Sequence, residues 1–131
     1  NQNPATDEQG GRQKLVLESN KYNHFVLTGK INGVRTPLLL DTGATQVAIP
    51  ANMANRLMLS PGKATIANTA NGPVTVYSTN IEKLELGGIV LYNVPAQINP
   101  GMNGLDEVLL GMSALSQLEF RQRDGKLELF Q

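Results

Sequence analysis

The hydrophobic pattern along this chain is that of short strands separated by glycine turns. Apolar and polar residues alternate over 22–31, which predicts a half-buried strand with Phe25, Leu27 and Ile31 on one face. Asn32-Gly33 then predicts a hairpin turn, because both residue types tolerate positive φ. The returning strand over 34–40 ends in three leucines, a run typical of a fully buried strand.

The same alternation of strands and turns continues after residue 50. A short helix is predicted over 51–58, a second buried strand over 108–111, and one or two helical turns over 112–118. Further hairpin turns are predicted at Asn71-Gly72, Gly87-Gly88 and Asp124-Gly125. These elements predict a mainly β protein, a small closed β fold with one or two short helices.

The first 13 residues differ from the rest because they are polar and include Pro4, Gly10 and Gly11. Such a segment cannot bury enough apolar surface to offset the entropy of ordering it. We therefore predict a disordered arm or linker over 1–13 and one folded domain over 14–131.

Composition excludes several classes of function. The 11 basic and 11 acidic residues balance, which argues against a nucleic-acid partner and against direct membrane contact by this domain. The absence of cysteine excludes disulfides and thiolate metal sites, and a zinc site is improbable with His24 as the single histidine. No metal or other cofactor is expected. His24 lies in a strand-like run and is predicted to be a surface residue rather than a catalyst.

Asp41-Thr42-Gly43-Ala44 follows the leucine run and precedes a second apolar stretch. A carboxylate at a dry strand end must be hydrogen-bonded, paired or functional, because burying an isolated charge is costly. Thr42 offers a hydroxyl, Gly43 permits close backbone approach, and Ala44 leaves room. These residue types alone also form ordinary turns, but the apolar flanks favour an active-site loop.

A hairpin over 63–77 has a small polar tip formed by Thr69, Ala70, Asn71 and Gly72. Its low apolar content predicts a hairpin that projects from the domain. Two interpretations stay open from these residues, an ordinary exposed hairpin and a mobile lid over a groove.

The order of these parts resembles that of the retropepsin-like aspartic proteases, most closely their bacterial single-domain branch. The resemblance extends over 22–130. It rests on Asp-Thr-Gly-Ala at 41–44, the hairpin tip at 69–72, and Leu109-Leu110-Gly111 followed by Met112-Ser113. It implies a pepsin-like (retropepsin) β-barrel with Asp41 as the catalytic residue of an aspartic endopeptidase.

The implied chemistry needs two carboxylates that share a proton, because like charges so close cannot both ionise. The chain has one Asp-Thr-Gly sequence, so the second aspartate is expected from a second copy, in a homodimer. By resemblance, Thr42 would reach the partner's backbone, Gly43 would offer backbone to an extended polypeptide substrate, and the hairpin tip would close over it.

Three positions depart from the viral pattern of the family. Thr45 and Gln46 stand where viral members commonly carry acids, and Met112 stands where they carry arginine. The dimer is therefore expected to be weak or substrate-dependent. The alternative function is a non-catalytic peptide-binding or assembly module that retains the fold. The bacterial relatives further imply a periplasmic location with an N-terminal membrane anchor outside this sequence.

Overall fold

The computed structural model describes residues 6–9, 12–19, 24–69, 72–102 and 104–131. The strands in this part of the chain are β1 (Thr6–Gln9), β2 (Arg12–Glu18), β3 (Val26–Ile31), β4 (Val34–Leu40), β5 (Val47–Pro50), β6 (Ala64–Thr69), β7 (Gly72–Leu86), β8 (Ile89–Asn99), β9 (Val108–Leu110), β10 (Glu119–Arg123) and β11 (Lys126–Phe130). The helices are α1 (Ala51–Ala54) and α2 (Met112–Leu115), and a 3₁₀ turn spans Pro100–Met102.

Six strands close into a barrel in the order β3-β4-β9-β5-β8-β7. The ring is completed by antiparallel pairing of β3 with β7, where Ile31 lies opposite Leu84. β6 extends this sheet outside the ring and pairs with β7. The predicted fold class, a mainly β protein with a closed barrel and two short helices, is confirmed.

The barrel interior is filled by alternate residues of its strands. In β3, Leu27 and Ile31 are buried whereas Val26 is 39% exposed, as the period of two along a strand requires. Phe25, just before β3, packs against the same core. Burial of each large aliphatic side chain contributes about 1.5–3 kcal/mol, so this interior dominates stability.

Of the segment predicted as a disordered arm, 1–13, the structure describes residues 6–9 and 12–13, and these belong to strands. β1 already pairs with β2 from Thr6 onward, and both belong to a second sheet in the order β1-β2-β11-β10. An edge strand is held by backbone hydrogen bonds, so it needs no apolar run that a sequence pattern could reveal. Glu128 of β11 links the neighbouring strands, lying 3.6 Å from Lys14 Nζ and 3.5 Å from Arg121 Nε.

Two further elements differ in length from their predictions. The helix predicted over 51–58 ends at Ala54, and Met58 in the following turn has a φ of 59°. The hairpin predicted to end at residue 77 continues as β7 to Leu86, because pairing with β8 extends through the exposed Ser78 and Asn80. None of the helices in the described ranges has the length and apolar character needed to span a bilayer.

Candidate active site

Asp41 lies at the edge of the barrel where two parallel strands end together. β4 and β9 pair in parallel, with Leu40 beside Leu110, so Asp41 and Gly111 are the residues that follow on each strand. The amide of Asp41 donates a hydrogen bond of 3.0 Å to the carbonyl oxygen of Leu110. The structure therefore places the predicted Leu109-Leu110-Gly111 segment directly beside the Asp-Thr-Gly loop.

The loop that contains Asp41 is a tight turn organised around its own carboxylate. The Gly43 amide donates to Asp41 Oδ1 at 3.0 Å, and the Ala44 amide donates to the Asp41 carbonyl oxygen at 3.1 Å. The side chain of Asp41 is partly exposed, and Thr42 and Gly43 are exposed. One carboxylate oxygen is thus oriented by a backbone donor, while Oδ2 accepts no hydrogen bond from the residues that the structure describes. Such a group can take a proton from a bound water.

Gly111 lies buried beneath this loop and has no room for a side chain. A Cβ there would lie 2.8 Å from the carbonyl oxygen of Ala44 and would overlap that of Gln46. The next amide, that of Met112, donates to the Ala44 carbonyl oxygen at 2.8 Å. Glycine at 111 therefore permits the close approach that brings the two segments together.

Ser113 belongs to the same cluster, although the sequence assigned it no role. Its Oγ donates to the carbonyl oxygen of Pro95 at 2.6 Å and accepts from the Val47 amide at 2.9 Å. A serine near the start of a short helix is an ordinary sequence feature. Only the fold reveals that its hydroxyl bridges β5 and β8.

The hairpin formed by β6 and β7 has register Thr69 opposite Gly72, and Gly72 has a φ of 103°. Ala70 and Asn71 of the predicted tip lie outside the described residues. Along the hairpin, Val74 approaches the 3₁₀ turn so closely that a Cβ on Gly101 would lie 3.4 Å from Val74 Cγ2. The hairpin therefore packs against the segment that leads back to β9.

The base of this hairpin is fixed by hydrogen bonds to Ser78. The Gly62 amide donates to the Ser78 carbonyl oxygen at 2.7 Å, and the Ser78 amide donates to the Lys63 carbonyl oxygen at 2.9 Å. The Lys63 amide donates to Ser78 Oγ, also at 2.9 Å. These bonds define where the projecting part of the hairpin begins.

Other candidate chemistry is separate from Asp41. His24 is exposed in the segment before β3. Within the described ranges, no group of three or more histidine, aspartate or glutamate side chains could hold a metal ion. Cavities of about 170 and 340 Å³ lie at the β3–β4–β7 surface and between α1, β7 and β8, and the 41–44 loop lines neither of them.

Comparison with known proteins places this geometry in a family. The family model described as "gag-polyprotein putative aspartyl protease" matches residues 27–117. The chain therefore belongs to this aspartyl protease family, which agrees with the predicted retropepsin-like resemblance.

One relative from a bacterium matches nearly all of this chain. A protein encoded in the cobV 5′ region of Sinorhizobium sp is 33% identical over 128 residues, which are 95% of this chain and 54% of the relative. The chain thus spans about half the length of that relative.

Two solved structures share the fold. A retropepsin-like aspartic protease from Rickettsia conorii gives a TM-score of 0.74 at 21% identity, covering 98% of this chain and 96% of that one. EIAV protease, solved with the inhibitor HBY-793, gives a TM-score of 0.59 at 22% identity, covering 75% of this chain and 90% of that one. The barrel is therefore the retropepsin-like fold expected from the sequence.

Proposed function

We propose that this protein is an aspartic endopeptidase whose active site forms between two copies of the chain, with one Asp41 from each. The observation that carries the proposal is the oriented, partly exposed Asp41 carboxylate at the joined ends of β4 and β9. Membership of an aspartyl protease family supports it.

A second copy is required by the chemistry. The sequence holds one Asp-Thr-Gly, whereas peptide hydrolysis of this type needs one ionised and one protonated carboxyl. The ionised carboxylate takes a proton from a water molecule, and the oxygen of that water attacks the carbonyl carbon of the substrate. The protonated carboxyl donates its proton to the carbonyl oxygen. The first carboxyl then protonates the amine nitrogen and the C–N bond breaks, while one hydroxyl of the gem-diol returns its proton to the second carboxylate as the new C=O bond forms.

The substrate that fits this site is an extended polypeptide with apolar side chains near the scissile bond. Leu39 and Leu109 lie side by side in the parallel register of β4 and β9, and both are half-buried. Their neighbours Leu38 and Leu110 are fully buried, so alternation places Leu39 and Leu109 on the face away from the core. An apolar surface next to Asp41 would favour apolar substrate side chains.

The proposal is tested with purified protein and a library of unstructured peptides. We expect wild-type protein to cleave internal peptide bonds and Asp41→Asn to lower the rate by at least about 10²-fold, because one carboxyl of the pair is lost. Asp124→Asn, in the β10–β11 turn, is the matched control and should cleave like wild type. Residue 124 has a φ of 52°, which asparagine tolerates.

Assembly is measured on the same samples by sedimentation with and without peptide. Activity should rise with the dimeric fraction. Cleavage by Asp41→Asn at the wild-type rate would contradict the proposal. Peptide binding without cleavage by a wild-type monomer would instead support the alternative, a peptide-binding module.

A further inference from the structure

The end of β9 and the start of α2 contact the stretch that follows β4 at three points. Leu110 accepts from the Asp41 amide, and Met112 donates to the Ala44 carbonyl oxygen. The third point is Ser113 Oγ, which accepts from the Val47 amide. The stretch from Asp41 to Val47, where β5 begins, is therefore held at its start, its middle and its end by residues within 110–113.

Ser113 differs from the other contacts because it acts through a side chain. Main-chain groups make the first two contacts, and any residue that fits could supply them. The Ser113 hydroxyl instead accepts from Val47 at 2.9 Å and donates to Pro95 at 2.6 Å, so α2 is bonded to β5 and β8 through one atom. Val47 is fully buried and opposite Ala96, at the start of the parallel β5–β8 pairing.

We infer that Ser113 is a positioning residue for the Asp41 loop. It holds the end of the loop at Val47, while the Leu110 carbonyl holds the beginning at Asp41. Without the hydroxyl, the Val47 amide and the Pro95 carbonyl both lose this partner, and the loop end shifts or admits water. This inference rests on the proposed function, since the group being positioned is the catalytic carboxylate.

The consequence is kinetic, because hydrolysis depends on the placement of Asp41 more steeply than peptide binding does. A misplacement of about 1 Å can cost on the order of 10²-fold in rate. We expect Ser113→Ala to lower kcat by about 10- to 100-fold while KM changes by less than about threefold. Ser113→Thr keeps the hydroxyl and should recover kcat to within about threefold of wild type.

Ser116→Ala is the matched control, since Ser116 lies just beyond the same helix and its side chain is exposed. Its kcat should equal that of wild type. Hydrogen exchange of the Val47 amide is measured on all variants and needs no catalytic activity. It should be faster in Ser113→Ala than in Ser113→Thr. If Ser113→Ala does not fold, Ser113→Cys replaces it, because a thiol forms weaker hydrogen bonds than a hydroxyl. This variant should show a smaller loss of kcat and a smaller acceleration of Val47 exchange.

The outcomes separate this inference from the proposed function. Wild-type kcat or unchanged Val47 exchange in folded Ser113→Ala overturns the positioning role, and so does an equal loss of kcat in the alanine and threonine variants. Wild-type cleavage by Asp41→Asn overturns the proposed function, whatever exchange at Val47 shows.

Discussion

The amide of Asp41 donates a 3.0 Å hydrogen bond to the carbonyl oxygen of Leu110. This contact joins the ends of two strands that are far apart in sequence but parallel and adjacent in the barrel. Because the bond uses main-chain atoms, it fixes where Asp41 leaves the sheet without engaging the carboxylate. Because Gly111 follows Leu110, this bond also brings Gly111 close to the loop.

Gly111→Ala should destabilise the protein severely. The added methyl group would lie 2.8 Å from the Ala44 carbonyl oxygen and overlap that of Gln46, and neither backbone atom can rotate away. We expect a loss of about 3 kcal/mol or more in the free energy of unfolding, at the upper end of overpacking effects. Urea unfolding followed by circular dichroism measures it.

Gly43→Ala is the matched control for that experiment. Its Cβ would lie 3.3 Å from Asp41 Oδ1, in an exposed loop where a small shift relieves the contact. The free energy of unfolding should fall by less than about 1 kcal/mol, while cleavage slows because the carboxylate is displaced. Equal stability of the Gly111→Ala and wild-type proteins would contradict the packing argument.

Asn32 should contribute to stability through its side chain as well as its turn conformation. Its Nδ2 donates to the Leu57 carbonyl oxygen at 3.0 Å, and its Oδ1 accepts from the Lys83 amide at 3.2 Å. Its φ is 50°, a conformation costly for alanine. Asn32→Ala should therefore lower the free energy of unfolding by about 2–4 kcal/mol, measured by urea unfolding.

Asn32→Gly separates the two contributions. Glycine adopts positive φ freely, so this variant loses only the hydrogen bonds and should lose about 1–2 kcal/mol. If the alanine and glycine variants were equally stable, backbone conformation would contribute nothing at this position.

Local chemistry explains why the turns were predictable. Asn32-Gly33 and Asp124-Gly125 form turns with positive φ at all four residues, which is what those residue types favour. The leucine run before Asp41 correctly predicted a strand, but the expectation that this strand is fully buried was wrong. Leu38 is buried, whereas Leu39 and Leu40 are half-buried, because alternate residues of a barrel strand face outward. The order of motifs then indicated the family, which the family model confirms.

Contacts between segments far apart in the chain could not be predicted from the sequence. Ser113 and Val47 are 66 positions apart, so no local pattern marks their hydrogen bond. β1 was missed because backbone pairing, rather than apolar side chains, holds an edge strand. The predicted hairpin was too short because the polar outer face of β7 at Ser78 and Asn80 resembles a loop.

Gly62→Ala should loosen the hairpin formed by β6 and β7. Its Cβ would lie 2.8 Å from Ser78 Oγ and 2.9 Å from the Ser78 carbonyl oxygen, so the 2.7 Å bond from the Gly62 amide would break. Amide exchange over 64–69 should accelerate by about three- to tenfold, as the loss of one hydrogen bond implies. If the hairpin is the lid, KM for peptides rises as well.

Ser78→Ala is the comparison for this variant. It removes the acceptor of the Lys63 amide but leaves the bond between Gly62 and the Ser78 carbonyl oxygen in place. Its effect on exchange should be smaller than that of Gly62→Ala. Unchanged exchange in Gly62→Ala would show that this contact does not fix the hairpin base.

Leu109→Ala should change which peptides are cleaved. Leu109 lies beside Leu39 on the outer face of the sheet, two residues before Gly111. Removing its side chain takes apolar contact area from substrates with a large apolar residue next to the scissile bond. Their kcat/KM should fall about tenfold or more, because each lost methylene in an apolar pocket is worth about 1–3 kcal/mol. Peptides with alanine there should lose less.

The control for this substitution is Met58→Ala, at an apolar residue that is 65% exposed in the turn after α1. It should leave the ranking of peptides unchanged, since residue 58 precedes the hairpin and takes no part in the β4–β9 register. An equal loss of kcat/KM for all peptides in Leu109→Ala would mean that the leucine supports the fold of the site. A loss confined to large apolar residues would mean that it contacts the substrate.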